Sequence, residues 1–219
     1  MKSESYYELA RPEIARIIVG TPARILEIGC AAGNFRQNIG WRCEYHGVEP
    51  SASAIEKAAQ KGIITHHGKY DSVKDQLPDN YFDLIIANDV IEHMTDTLPF
   101  LKSIRGKLSE HGKVIGSVPN VRYISNLWNL LVKRDWQYAE AGVLDSTHFR
   151  FFTPKSIAQT LKEAGFTIDY LKPSGPDRYS IIKKLLYPFV LPIGTDTLYM
   201  QIAFRCSIAN QENGRDCLS

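Results

Sequence analysis

The 219-residue sequence lacks several features that would fix a class outright. Its four cysteines, Cys30, Cys43, Cys206 and Cys217, show no C-x-x-C spacing, so neither a disulfide framework nor a thiolate zinc site is indicated. No cleavable apolar leader is visible, and reduced thiols in a cytoplasmic protein are the expectation. Charge nearly balances, with 26 Lys and Arg against 24 Asp and Glu. The basic residues are scattered, Lys133-Arg134 and Lys183-Lys184 being the notable pairs, which argues against a nucleic-acid partner. The conspicuous apolar stretch, 179–192, carries two lysines and two prolines and is too short to span a bilayer. There is no G-x-G-x-x-G and no Gly-Lys-Ser/Thr, which excludes the dinucleotide fingerprint and the triphosphate loop.

What is present is a glycine bend after a short apolar run. Ile25, Leu26 and Ile28 have strand character, and Gly29 and Gly33 interrupt it, so the backbone turns tightly and enters a helix whose amides face a ligand. Glu27 precedes the bend. A carboxylate there repels a pyrophosphate but attracts an ammonium, as on an amino-acid-bearing nucleoside. A second strand, Tyr45-His-Gly-Val-Glu-Pro50, ends in Glu49, about 20 residues beyond the bend, where an acid commonly accepts hydrogen bonds from ribose hydroxyls.

With Phe82-Asp-Leu-Ile-Ile-Ala-Asn-Asp89 added, the stretches LEIGCAAG, GVEPS and FDLIIANDVIEH resemble the class I S-adenosylmethionine-dependent methyltransferases over roughly residues 20–172. Ala31 stands where many members have a middle glycine. The resemblance implies an α/β fold, a Rossmann-like doubly wound seven-stranded sheet with an antiparallel edge strand, and S-adenosylmethionine as cofactor. It assigns the cofactor to Glu27, Gly29, Cys30, Ala31, Gly33, Asn34, Glu49, Pro50, Asn88 and Asp89. Cys30 is read as a small residue beneath the cofactor rather than a nucleophile. Where the family often sets an acid against the adenine amino group, Gly68-Lys69 replaces Gly-Asp, so Asp71 or a backbone amide takes that place.

The rest of the chain is expected to form one domain over 1–208, with a helical cap at 120–152, an apolar lid-like insertion at 175–195 and a disordered tail from 209. Pro12 starts a helix running through Ile18, and Tyr6 or Tyr7 closes over the cofactor or simply packs. Phe35–Ile39 completes a first helix, and Ser51 caps a second. Strands follow at 63–66, 84–87, 112–118, 166–172 and 198–206, with a helix at about 96–108. His66 and His67, adjacent on a strand, face opposite sides and do not suggest a metal. In the cap, Ile124, Leu127, Trp128, Leu131 and Val132 recur at helical spacing as a packing stripe. The 179–192 stretch is read as a lid, a dimer contact or a membrane-surface anchor.

The second informative segment is Leu144-Asp-Ser-Thr-His-Phe-Arg-Phe-Phe-Thr-Pro154. It looks like the LDxTHxRFFT signature of a methyltransferase subgroup often associated with glycan biosynthesis. It brings together an acid, an imidazole and a guanidinium beside aromatic surface. His148 suits removal of a hydroxyl proton near neutrality, Asp145 could orient it, and His93 is the rival base. Arg150, Trp136 and Tyr138 are the candidate acceptor-binding residues. The plainer account is that Asp145, His148 and Arg150 knit the cap to the sheet and that Thr153-Pro154 merely starts a helix. The expected activity is O-methylation of a sugar or glycan precursor with no metal required. Methylation of a quinone-like or other aromatic molecule is the alternative, and a noncatalytic cofactor-binding protein of the same fold is another. A small-molecule, possibly saccharide, acceptor is the expected partner, and an oligomer is possible.

Overall fold

A computed structural model describes residues 10–175, 192 and 194–209. Tyr6, Tyr7, almost all of the apolar 179–192 stretch and the tail beyond 209 lie outside the described residues.

Seven strands form one sheet: β1 (Arg24–Ile28), β2 (Glu44–Glu49), β3 (Ile64–His67), β4 (Phe82–Asn88), β5 (Leu108–Pro119), β6 (Phe166–Ser174) and β7 (Gln201–Ile208). Their order is β3-β2-β1-β4-β5-β7-β6. The first five pair in parallel, and β7 lies between β5 and β6, antiparallel to both. The chain winds outward through β2 and β3, then returns to place β4 on the other side of β1. That reversal opens a crevice at the carboxyl ends of β1 and β4, the usual ligand position in such sheets.

Alternation along the strands divides the core between the two faces. Leu26, Ile28, Ile85 and Ala87 join Leu101 and Ile104 of α4 (Thr97–Lys107) and Ile157 and Leu161 of α6 (Pro154–Glu163). Ile25, Leu84 and Ile86 join Ile14 of α1 (Pro12–Ala15) and Ile55 and Ala58 of α2 (Ala52–Gln60). Pro12 takes the first turn of α1, and the Ser51 hydroxyl accepts from the Ala54 amide at the start of α2.

Three expectations are corrected. α1 ends at Ala15 rather than Ile18. The helix expected at Phe35–Ile39 is a single 3-10 turn, Asn34–Asn38, because the Asn38 amide caps the Phe35 and Ala10 carbonyls and Ile39 turns extended. In α5 (Ile124–Leu131) the apolar stripe packs only in part: Ile124 and Leu127 are half-buried, while Leu131 is 71% exposed, and Trp128 and Val132 are 55% exposed. The buried residue of that helix is Asn126, whose Nδ2 donates to the Val121 carbonyl. A polar anchor holds the helix, so spacing alone misidentified its inner face.

Gly116 of β5 sits between Ala87 and Phe204. A Cβ there would lie 2.1 Å from the Ala87 carbonyl oxygen and 2.8 Å from Phe204 Cζ. Gly116→Ala is therefore expected to cost about 3 kcal/mol or more in urea unfolding. Shortening Phe204 to Leu should not restore the midpoint, because the harder clash is with backbone.

Candidate functional site

Three residues with left-handed backbone carry the chain out of β1: Gly29 (φ 71°), Ala31 (φ 47°) and Gly33 (φ 71°). Gly33 is required for space as well as conformation, since a Cβ would lie 2.5 Å from Ile63 Cδ1 and 3.2 Å from the Ala58 backbone. Ala31 accepts the same region with the smallest side chain that has a Cβ, at a cost of roughly 1–2 kcal/mol.

Two buried carboxylates flank this bend, Glu27 at 4% exposure and Glu49 at 6%. The Tyr45 hydroxyl donates to Glu27 Oε2 at 2.8 Å. Burial raises the Glu27 carboxyl to about 8; the Tyr45 bond and Lys61 oppose the rise, and Glu49 adds to it. Glu49 accepts from the Ala31 amide (3.0 Å) and the Ser51 amide (2.9 Å), tying the bend to the start of α2. A carboxylate offers about four acceptor positions, so this clamp does not exhaust it. Lys61 donates to the Ala32 carbonyl at 2.7 Å and to Asn34 Oδ1, a brace absent from the sequence reading. Cys30 is buried, and desolvation with Glu27 and Glu49 nearby pushes its thiol far up, so it supplies no thiolate.

Across the crevice, Asn88 ends β4 with a buried Oδ1 that has no hydrogen-bond partner among the described residues. Asp89 follows in left-handed conformation, its carboxylate held by Arg11 and by the Ser117 hydroxyl at 3.1 Å. Arg11 also donates to Ser117 Oγ at 2.8 Å. Arg11 escaped the sequence reading: besides its neighbour Glu13, its partners Asp89 and Ser117 lie 78 and 106 positions away, where no local signal marks them. Pro50 accepts from His67 Nε2 through its carbonyl. Asp71 lies on the exposed face of α3 (Tyr70–Val73), 3.4 Å from Lys74. His66 stacks on His46, their facing nitrogens 3.0 Å apart.

Residues 145–150 are stitched to the loop after β4. The Phe149 and Arg150 amides donate to the Glu92 carbonyl, and the Arg150 guanidinium donates to the Thr95 carbonyl at 2.7 Å. Asp145 Oδ1 accepts from the Thr147 amide (2.8 Å) and hydroxyl (2.6 Å). The Thr147 carbonyl and hydroxyl in turn lie 3.0 and 3.3 Å from His93 Nδ1. A carbonyl only accepts, so His93 carries its proton on Nδ1. The same holds for His148, whose Nδ1 donates to the Val143 carbonyl at 3.0 Å. The expectation that Asp145 orients His148 is thus redistributed: Val143 orients His148, and Asp145 acts through Thr147 on His93. The two imidazoles meet edge to face at 4.8 Å, and fully buried Glu92 is 4.0 Å from His148 Nε2. Trp136 and Tyr138 gather around Phe151, with ring centroids 5.5 and 6.3 Å from it. Thr153 is a helix cap, forming a reciprocal capping box with Ser156.

A family profile described as a methyltransferase domain matches residues 3–171. The chain belongs to this methyltransferase family. Similar curated proteins include the ubiquinone biosynthesis O-methyltransferases of Bradyrhizobium sp. (strain ORS 278), 33% identical over 44% of this chain and 40% of that protein, and of Nitrobacter winogradskyi, 29% identical over 66% and 57%. The methyltransferase described here therefore spans only about half the length of these relatives. Among solved structures, S-adenosylmethionine-dependent methyltransferases from Mesorhizobium loti (TM-score 0.64, 17% identity, covering 91% of this chain and 98% of that one) and Listeria monocytogenes (0.65, 14%, 94% and 100%) share the fold. The fold is that of these class I enzymes, and the cofactor their descriptions imply is S-adenosylmethionine. The residues present suit that cofactor: two buried acids beside a glycine bend match a cationic nucleoside, and the unpartnered Asn88 oxygen awaits a donor. No helix among the described residues is long and apolar enough to cross a membrane.

The raised carboxyl of Glu27 makes stability depend on pH. Its ordinary value is 4.5 and its folded value about 8, so the unfolded chain loses this proton first. Stability should fall as pH rises from about 4.5 to 8 and then level, by as much as several kcal/mol. Glu27→Gln keeps an acceptor for Tyr45, and urea unfolding across that window should show its slope flattened and its stability at pH 8 raised.

Proposed function

We propose that this methyltransferase methylates an oxygen of a small hydroxylated acceptor of the quinone-like or phenolic class. The names of the curated relatives support that acceptor class. The observation that carries the oxygen chemistry is the His93–His148 pair: both Nδ1 atoms donate to carbonyls, so in the neutral rings the lone pairs sit on Nε2.

Bound S-adenosylmethionine supplies a methyl group already activated on a positively charged sulfur. Glu27 receives the methionyl ammonium, and Glu49 receives the ribose diol while still holding the bend. Gly29 through Asn34 would admit the ligand close to the backbone, and Pro50 and Asp71 would complete its nucleoside contacts. Asn88 and Asp89 form the floor near the sulfur, with Arg11 and Ser117 fixing the Asp89 carboxylate. The Glu92–His93–His148 cluster activates the acceptor hydroxyl, and the half-buried His93 is its more accessible imidazole. Asp145 holds Thr147, and Thr147 holds His93. Arg150, Trp136 and Tyr138 line the acceptor's approach. A saccharide acceptor is the second reading, favoured by the aromatic surface of Trp136, Tyr138 and Phe151 next to Arg150.

Labelled-methyl transfer to catechol-type hydroquinones is expected to exceed transfer to sugar nucleotides. The reverse ranking would give the acceptor to the saccharide reading. On a verified acceptor, His93→Ala should lower turnover by about 10²–10⁴-fold while cofactor affinity is kept. If it keeps full turnover, the cluster does not activate the oxygen.

Glu27 must ionise to receive an ammonium, so cofactor binding below pH 8 is expected to release up to one proton. Calorimetry in buffers of differing ionisation enthalpy reads this directly. Glu27→Gln should abolish the release and weaken binding roughly tenfold to hundredfold. Unchanged proton release in that variant would move the ammonium contact elsewhere.

A further inference from the structure

A cavity of about 360 Å³ opens at the amino ends of β1 and β4, the opposite edge of the sheet from the glycine bend. We infer that it binds a small organic anion, a carboxylate on a compact apolar body, at a site separate from the cofactor crevice. The inference does not depend on the function proposed above.

The volume lies at the small end of the usual range for ligand pockets, about 300–1,000 Å³. Val19, Pro22, Leu84 and Ile115 give the cavity apolar walls, and Lys113 and Arg205 line it with positive charge. Arg205 is the group that points to a ligand. Its Nη1 donates to the Ile17 carbonyl at 2.8 Å, which fixes the guanidinium plane. Its Nε is buried with no hydrogen bond among the described residues and lies 3.7 Å from Asp169 Oδ2. Buried donors are paired in the great majority of cases, so this one calls for a partner. With Nη1 spent on Ile17, the edge formed by Nε and Nη2 is left for a ligand, and a guanidinium edge grips a carboxylate through two parallel bonds.

The surrounding charges leave a positive surplus. Asp169 accepts from Lys113 at 2.9 Å and from the Ser207 hydroxyl at 3.0 Å, so a single carboxylate serves both Lys113 and Arg205. The other acid at the cavity, Asp83, is engaged by Arg24 Nη2 at 2.7 Å and by the Ser109 hydroxyl at 3.1 Å. Two cations thus share one counter-charge, and a monoanion at the Arg205 edge balances the group. An uncharged ligand of the same shape would leave that surplus standing.

Calorimetry on the full chain with cyclohexanecarboxylate, and with its uncharged amide as control, tests the site. One carboxylate per chain is expected to bind, also when S-adenosylhomocysteine fills the cofactor crevice and also in His93→Ala, whereas the amide should not bind. Arg205→Gln should weaken the carboxylate by roughly 10–100-fold. Thr21 lines the cavity from an exposed position, and Thr21→Trp should block it. Should Arg205→Gln fail to fold, Lys113→Gln and Thr21→Trp carry the comparison. Absence of saturable binding, equal binding of acid and amide, or binding undiminished in the cavity variants overturns the inference. Competition by S-adenosylhomocysteine, or loss of binding in His93→Ala, would put the probe in the cofactor or acceptor crevice and overturn it as well.

Discussion

A carboxylate without a full charge beside it is costly to bury, and this protein buries two at the carboxyl edge of adjacent strands. Glu27 and Glu49 cannot both ionise cheaply at such depth, and the tension shows in the raised Glu27 carboxyl. Local partners offset part of the cost. Tyr45 donates to Glu27, and the Ala31 and Ser51 amides donate to Glu49. The second pair of bonds also shapes the bend, because the amide that Glu49 captures belongs to the left-handed residue at its centre. The geometry of the loop and the electrostatics of the crevice are therefore one arrangement.

The reversal of strand order supplies the second constraint. It leaves the ends of β1 and β4 side by side, the usual ligand position in such sheets. Asn88 and Asp89 thus face the bend across the gap, and the loop that follows carries Glu92 and His93 directly to the acceptor side. Residues 145–150 return to that loop through the Glu92 and Thr95 carbonyls. The end of β4 and the 145–150 segment are consequently joined by a single short loop. A displacement of the segment bearing His148 would be felt at the end of β4.

Much of this was legible in the sequence, and the failures have physical reasons. The glycine bend, the Ser51 cap and the doubly buried β4 announce themselves locally, because each needs a particular residue at a particular backbone conformation. The parallel, doubly wound character of the sheet followed from the alternation of strands and helices. Arg11 at Asp89, Lys61 at Asn34 and Val143 at His148 were not legible, since each is a long side chain or a bare carbonyl recruited by the tertiary fold. The α5 stripe misled for the opposite reason. Its apolar spacing is regular, yet the helix is anchored through Asn126 and much of the stripe faces outward.

The 144–154 segment shows why a motif can mark a subgroup of enzymes without naming its substrate. Thr153 caps α6, Phe152 is core, and Asp145 folds back on Thr147. These residues would be needed to hold the segment against β4 whatever acceptor lay beneath. The residues proposed to meet an acceptor are few: His93, the aromatic group around Phe151, and the guanidinium of Arg150. None of them is particular to a sugar, since an aromatic face and a pair of imidazoles serve a phenol equally well. Acceptor choice in such a site follows from the shape of the aromatic surface and from how the acceptor oxygen is activated. Both are properties of the assembled crevice rather than of any run of sequence.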